Sequence, residues 1–418
     1  NARLAYGLKQ YLAHTHYHGT YSWGRQFHLA DMTGWVLRTL RRAVNSQLGV
    51  ISAPVVIGIP VTFDGEAAGS RDEAIARLTA AATQAGFTNT VFLEEPKAAL
   101  VADLASRDSR DAGPDGACVA VDFGGGTFDI AVSVGGTSPW EADVTRGVAV
   151  GGEHLDSLIF TKVVAPAIGL ERDLARLPWL GSRGSMIMAA GRSDSRRQLA
   201  DEALRSEGCR LISRIFDRGQ VYDFWRSIET AKIALSTQES TTVDFYRPGV
   251  QISVPIDRAT FERLAAEPLG RVRATVEDAL TASGLQPAAV VRVVKTGGSS
   301  ALPSFDAILR DLFPNAEFEQ KSALTTVVEG LGQYLRLQGS ASKAVSTSGH
   351  VMPRKSDDTP GQDTEVRLLY DPVQMNIEGS GVPEASSQAR FDADSETGPS
   401  QPVRGGLLGR LRRLLGID

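Results

Sequence analysis

The run Val119-Ala120-Val121-Asp122-Phe123-Gly124-Gly125-Gly126-Thr127-Phe128-Asp129-Ile130-Ala131-Val132-Ser133-Val134 constrains this chain more than any other stretch. A β-branched apolar run enters, three glycines interrupt it, and a second alternating run leaves. That pattern predicts strand, tight turn, strand. Glycines let a backbone approach a bulky anion closely, because no Cβ intervenes. Successive N–H groups in such a turn can form an anion-binding concavity. Asp122 and Asp129 flank the turn and are placed to hold a hydrated Mg²⁺ beside phosphate oxygens. An ordinary hairpin needs fewer glycines, and acids buried in one are costly without a partner. The expectation is a nucleotide-phosphate hairpin.

Bulk properties narrow the setting. The chain has 418 residues, 42% hydrophobic and 22% charged, enough for two or more domains. Net charge is −5 and the isoelectric point about 5.8, so nucleic acid is not an expected partner. Cys118 and Cys209 are far apart and form no metal motif; Cys118 reads as a small buried residue. With no disulfide framework, a reducing cytoplasmic location is expected. No apolar run is long enough to span a membrane and no signal peptide opens the chain. Asn1 is not a methionine, so a missing N-terminal piece is expected. Abundant arginine, alanine and glycine fit a GC-rich bacterial source.

In chain order, residues 1–50 read as helical, with apolar faces at Leu4, Leu8, Tyr11 and Leu12, then at Trp35, Val36, Leu40, Val44 and Leu48. His14, His16 and His18 alternate between them; without a carboxylate or cysteine they read as a solvated loop rather than a metal site. Val55–Ile59 reads as a buried strand and Arg71–Ala85 as a helix. Val91–Leu93 reads as a strand, and Glu94-Glu95-Pro96 opens another helix. That order indicates an α/β fold. Gly151-Gly152 precede a helix start, a second candidate phosphate contact. Residues 171–225 read as mostly helical and rich in arginine. In the helix that follows, Glu229, Lys232, Ile233 and Ser236 share a face. A Glu–Lys pair at that spacing is usually a solvated surface pair. Thr242–Tyr246 and Val250–Ile256 read as a small β element, and Arg258–Ser283 as a helix. The strand from Val290 to Thr296 ends in Gly297-Gly298-Ser299, where α/β sheets bind ligands. Helices are expected at Pro303–Phe313 and Thr326–Leu337. From Gly339 to Arg404 the composition is that of a disordered linker. Leu407, Leu408, Leu411, Leu414 and Leu415 then line one face of a short basic amphipathic helix, suited to a membrane surface or a partner groove.

These glycine-rich elements, in this order and with Glu95-Pro96-Lys97-Ala98-Ala99, resemble the actin-like ATPase superfamily. The likeness is to the nucleotide-binding domain of the heat-shock protein 70 (DnaK-like) family. Asp122 to Asp129 resembles that family's Asp-x-Gly-Gly-Gly-Thr-Phe-Asp hairpin in full. Glu95 to Ala99 is similar to its Glu-Pro-Thr-Ala-Ala, and Gly151 to Asp156 to its Gly-Gly-Glu-Asp-Phe-Asp. The resemblance covers about residues 1–338. It implies a ribonuclease H-like, two-lobe α/β fold around a central nucleotide cleft. Residues 1–116 would be the remainder of lobe I and 117–320 lobe II, with a helical and β subdomain at about 151–268. Residues 321–338 would return to lobe I, 339–404 would be disordered linker, and 405–418 the basic helix.

The resemblance also implies roles. Lys9, Glu95, Asp122 and Asp129 would be catalytic, and the two aspartates would hold Mg²⁺ through water. Gly124, Gly125, Gly126, Thr127, Gly151 and Gly152 would contact phosphates. Glu229, Lys232, Ser236, Gly297, Gly298 and Ser299 would hold adenosine. ATP and Mg are the implied cofactors. The family's first phosphate hairpin, Asp-x-Gly-Thr, is absent from this sequence. Ile233 and Ala301 stand where the family has arginines, and Leu324 where it usually has an acid. No β-sandwich substrate domain follows, as in YegD-type relatives. The expectation is a DnaK-like ATP-binding protein with slow Mg-dependent hydrolysis in its intact form. The alternative is a degenerate, non-catalytic interaction module that contacts a partner through its C-terminal helix. A sugar kinase of the same superfamily fits the motifs less well.

Overall fold

A computed structural model describes residues 7–14, 19–22, 25–49, 54–63, 70–106, 116–134, 142–322 and 325–347. The chain divides into two units, 1–350 and 351–418; the second, with most of the expected linker and the basic C-terminal helix, lies outside the described residues.

Within the first unit, the N-terminal elements are α1 (Leu8–Tyr11), β1 (Gly19–Ser22), β2 (Arg25–His28), α2 (Leu29–Leu48), β3 (Val55–Ile59), α3 (Ser70–Gln84), β4 (Thr90–Glu94) and α4 (Glu95–Ser106). Then come β5 (Ala117–Phe123), β6 (Phe128–Ser133), β7 (Val144–Val148), α5 (Gly152–Ile159) and α6 (Ala165–Ala167). Next are α7 (Arg183–Ala190), α8 (Ser193–Ala203), α9 (Glu207–Asp217), α10 (Val221–Ala234), β8 (Ser240–Arg247) and β9 (Val250–Asp257). The series closes with α11 (Arg258–Ser283), β10 (Val290–Thr296), α12 (Pro303–Leu312), β11 (Glu317–Gln320) and α13 (Thr326–Thr347).

The frame of the molecule is a five-stranded sheet in the order β11-β10-β5-β6-β7. β5 pairs antiparallel with β6 and parallel with β10, so the glycine hairpin is central and covered on both faces. Val119, Val121, Phe123, Phe128, Ile130 and Val132 face the large core beneath α5, α10 and α11. Cys118, Ala120 and Ala131 face Ala99 and Leu100 of α4. A second, smaller core gathers Leu12, Ile59, Phe63, Ala74 and Leu78 around the parallel pair β3–β4. Both cysteines are buried. No helix among the described residues is long and apolar enough to cross a membrane.

Two expectations change. The helical reading of 1–50 fails at β1–β2, an antiparallel hairpin pairing Gly19 with His28. Thr20, Tyr21 and Phe27 are strand-forming residue types that a helical wheel does not penalise. At the other end, α13 continues to Thr347 through a stretch read as linker from Gly339. Its serines and glycines looked like linker, but its alanines and lysine are good helix formers.

Candidate active site

The hairpin register sets the site. Asp122 lies directly across from Asp129, and Phe123 from Phe128. Strand alternation then puts both carboxyls on the sheet face opposite the phenylalanines, towards α4. The turn closes with Gly124 N–H donating to the Thr127 carbonyl at 3.0 Å. Asp129 is buried, with one oxygen accepting from Thr127 Oγ1 at 2.8 Å and the other from the Thr62 amide at 3.1 Å. Gly147 on β7 makes this possible, because a Cβ there would overlap the Asp129 carboxylate.

Glu95 heads α4 and accepts from Lys9 Nζ through both oxygens at 2.7 Å. The charges converge in low dielectric. Burial pushes the Asp122 carboxyl up to about 6; Glu95 adds to the rise and Lys9 opposes it. Burial pushes Asp129 up to about 7 against the Thr127 and Thr62 hydrogen bonds, with Glu95 and Asp122 adding repulsion. Two acids held above their ordinary range want a cation. A cavity of about 220 Å³ opens in front of them, lined by Lys9, Glu95, Asp122 and the turn Gly124–Thr127. Among the described residues no three His, Cys, Asp or Glu side chains come together as direct metal ligands. Carboxylate oxygens of this kind suit a hard cation such as Mg²⁺.

The glycines explain the cavity. At Gly124, Gly125 and Gly126 a Cβ would meet nothing closer than 3.5 Å, so the protein's own packing does not require glycine there. At Gly151 and Gly297 a Cβ would overlap the Gly125 and Phe123 carbonyls. These two glycines let neighbouring loops brace the turn. Ser299 Oγ donates to the Gly124 carbonyl at 3.0 Å. The Gly152 and Glu153 amides donate to the Gly124 and Gly125 carbonyls at 3.0 and 2.8 Å. The expectation that the helix-start amides at Gly151-Gly152 face outward is thus corrected for Gly152: its N–H supports the turn from within.

The Glu229–Lys232 pair is also different from its sequence reading. Lys232 is buried and sits on Asp156 at 2.8 Å, donating as well to the Gly152 carbonyl at 2.8 Å. Burial raises Asp156 to about 6 even with Lys232 beside it. Glu229 instead accepts from Arg183 Nη1 at 3.1 Å. Ser236 lies half-buried in the turn after α10, and Ile233 is 60% exposed. Gly298 is exposed with open space around it. The structure therefore gathers Lys9, Glu95, Asp122, Asp129, Gly124–Thr127, Gly151–Gly152, Lys232, Gly297 and Ser299 around one turn; among the described residues no side-chain hydrogen bond ties Ser236 to it, and Gly298 stands in open space. Of the alternating histidines, His14 packs on Tyr11 with ring centroids 5.6 Å apart, and His16 and His18 lie outside the described residues, as does Leu324. Thr62, Gly147 and Arg183 had no motif to mark them; Asp156 closes the Gly151–Asp156 motif, but no role had been read for it.

A family model described as Hsp70 protein matches residues 3–168 and 216–325, well over half of the chain. The chain is similar to the chaperone protein DnaK of Trichormus variabilis, 27% identical over 298 residues, or 69% of this chain and 36% of that one. It is 26% identical over 297 residues to the chaperone protein DnaK of Thermus thermophilus, covering 69% and 40%. It is 27% identical over 288 residues to the heat shock 70 kDa protein BIP3 of Oryza sativa subsp. japonica, covering 68% and 35%. The match spans little more than a third of the length of these curated relatives. With the central hairpin, its bracing loops and the converging acids in place, the chain belongs to the Hsp70 family and has its actin-like ATPase fold.

Proposed function

We propose that this chain binds ATP with Mg²⁺ in the cleft at the glycine turn and, in its intact form, hydrolyses it slowly. The observation that carries this reading is the space left by Gly124, Gly125 and Gly126. It is not needed by the fold, and it faces two acids whose protons are held by burial. A polyphosphate with its cation supplies the missing volume and charge. Mg²⁺ would neutralise developing charge on the transferred phosphoryl group. Asp122, which borders the cavity, would hold the cation's water shell. Asp129 lies behind it and fixes Thr127 by accepting from its hydroxyl. Lys9 would leave Glu95 for a phosphate oxygen, freeing Glu95 to accept a proton of the attacking water. Such chemistry depends on positioning and charge more than on a strong base. Calorimetry with ATP and Mg²⁺ tests the reading. Asp122→Ala should abolish Mg-dependent binding, and turnover unchanged in that variant would refute the assignment.

A second reading, a non-catalytic interaction module, is favoured by one observation on the adenosine side. Lys232 and Ser299 are already engaged by Asp156, Gly152 and Gly124. ATP bound no more tightly than inorganic triphosphate would support that reading.

A further inference from the structure

Residues 169–215 lie between the two stretches matched by the family model. They carry α7, α8 and most of α9, and they are firmly seated. Leu180, Met186, Ile187, Leu199, Ile212 and Ile215 are all part of the large core. This segment reaches the cleft at the start of α7. There Gly184 lies so close to Tyr11 that a Cβ would sit 2.5 Å from the Tyr11 hydroxyl and 3.5 Å from Cζ. A side chain at that position would have to displace that oxygen.

Tyr11 is a wall between two cavities. One, of about 350 Å³, is lined by Gly125, Gly126, His154 and Arg183. The other, of about 220 Å³, is lined by Trp179, Met188 and Arg192 of the same segment. The ring comes from α1, the short helix that also carries Lys9. Arg77 holds α1 by donating to the carbonyls of Tyr11, Leu12 and His14 at 3.2, 2.9 and 3.0 Å. On the other side, Arg183, next to Gly184, bonds Glu229 of α10 and lies over the Tyr222 ring at 5.0 Å. Consecutive residues of this segment thus touch an element bearing Lys9 and an element bearing Glu229.

We propose that this segment is a clasp across the cleft. Gly184 receives Tyr11 and so positions Lys9, while Arg183 positions Glu229; bound nucleotide leaves only when Tyr11 withdraws from Gly184. The clasp rests on the nucleotide reading given above. Gly184, Tyr11 and Arg183 are positioning residues, acting through Lys9 and Glu229.

The test uses the full chain and the release rate of a fluorescent, N-methylanthraniloyl-labelled ADP with Mg²⁺. Gly184→Ala should expel Tyr11 and speed release at least tenfold. Tyr11→Phe removes the atom that clashes, so Gly184→Ala combined with Tyr11→Phe should return release to within twofold of Tyr11→Phe alone. A merely structural role for Gly184 predicts no such rescue. Unchanged release in Gly184→Ala, or acceleration that Tyr11→Phe does not reverse, overturns the clasp. Failure of the unaltered chain to bind the labelled ADP overturns the nucleotide reading and the clasp with it. Binding without acceleration overturns the clasp alone.

Discussion

Glycine serves opposite purposes on the two sides of one turn. At Gly124–Gly126 the missing side chains leave space that the protein does not fill, while at Gly151 and Gly297 they leave space that the protein's own carbonyls occupy. In the first case glycine protects a ligand volume; in the second it protects packing. The comparison teaches that a glycine-rich motif is two devices. Substitutions should separate them, because one group affects binding and the other affects folding.

The largest effect is expected at the turn. Gly125→Val should weaken ATP·Mg²⁺ binding by more than about 100-fold, roughly 3 kcal/mol, in calorimetry. Its thermal midpoint should stay within about 2 °C, as for other substitutions that meet no neighbour. A large loss of stability there would break the comparison. Gly151→Ala should do the reverse. Overlap with a backbone carbonyl costs roughly 1–3 kcal/mol, and a Tm lowered by about 2–4 °C per kcal/mol should appear without ligand.

The third prediction concerns the acids. Asp122 and Asp129 are raised from 3.8 to about 6 and about 7 in the folded chain. The folded state therefore binds these protons more tightly than the unfolded state. This contribution favours folding in acid and is lost as pH rises from 3.8 through about 6 and 7. Asp129→Asn keeps an acceptor for the Thr62 amide and removes the charge. Without ligand it should raise stability by roughly 2 kcal/mol at pH 8, and the gain should shrink with falling pH and vanish only below about 3.8, read as Tm. Saturating Mg²⁺ and ATP should remove that advantage, since the carboxylates then have their counter-charge. The smallest effect should fall at Gly298, which has open space like the turn glycines. Gly298→Ala should shift Tm by less than about 1 °C, corresponding to a few tenths of a kcal/mol. Its effect on ATP affinity, measured in the same titration, should stay within about threefold, under 0.7 kcal/mol.

Local pattern carried the main elements. The alternation around Gly124–Gly126 specifies the hairpin, Pro96 the start of α4, and the alternating run at Val250–Ile256 the strand β9, all from short-range sterics and periodicity. The short pairing of β1 with β2 was not legible, because four-residue strands carry too little period to outweigh neighbouring helical patterns. Lys232 shows the limit at the site. Its spacing from Glu229 fits a surface pair, yet it turns inward to Asp156, a partner 76 positions away in the chain. Spacing reports which helix face a residue occupies, and only packing decides what that face meets.

By itself the sequence determined that two acids flank a three-glycine turn between strands, and therefore that a phosphate-sized opening lies at their tips. That follows from the two-residue period of strands and the absence of Cβ atoms. Tertiary structure alone decided that the acids are desolvated, that Glu95 and Lys9 face them, and that Gly152 and Ser299 brace the turn. It also brought Gly184 of α7 against Tyr11. Burial and electrostatic coupling arise from residues far apart in the chain, and no local pattern encodes how those residues meet.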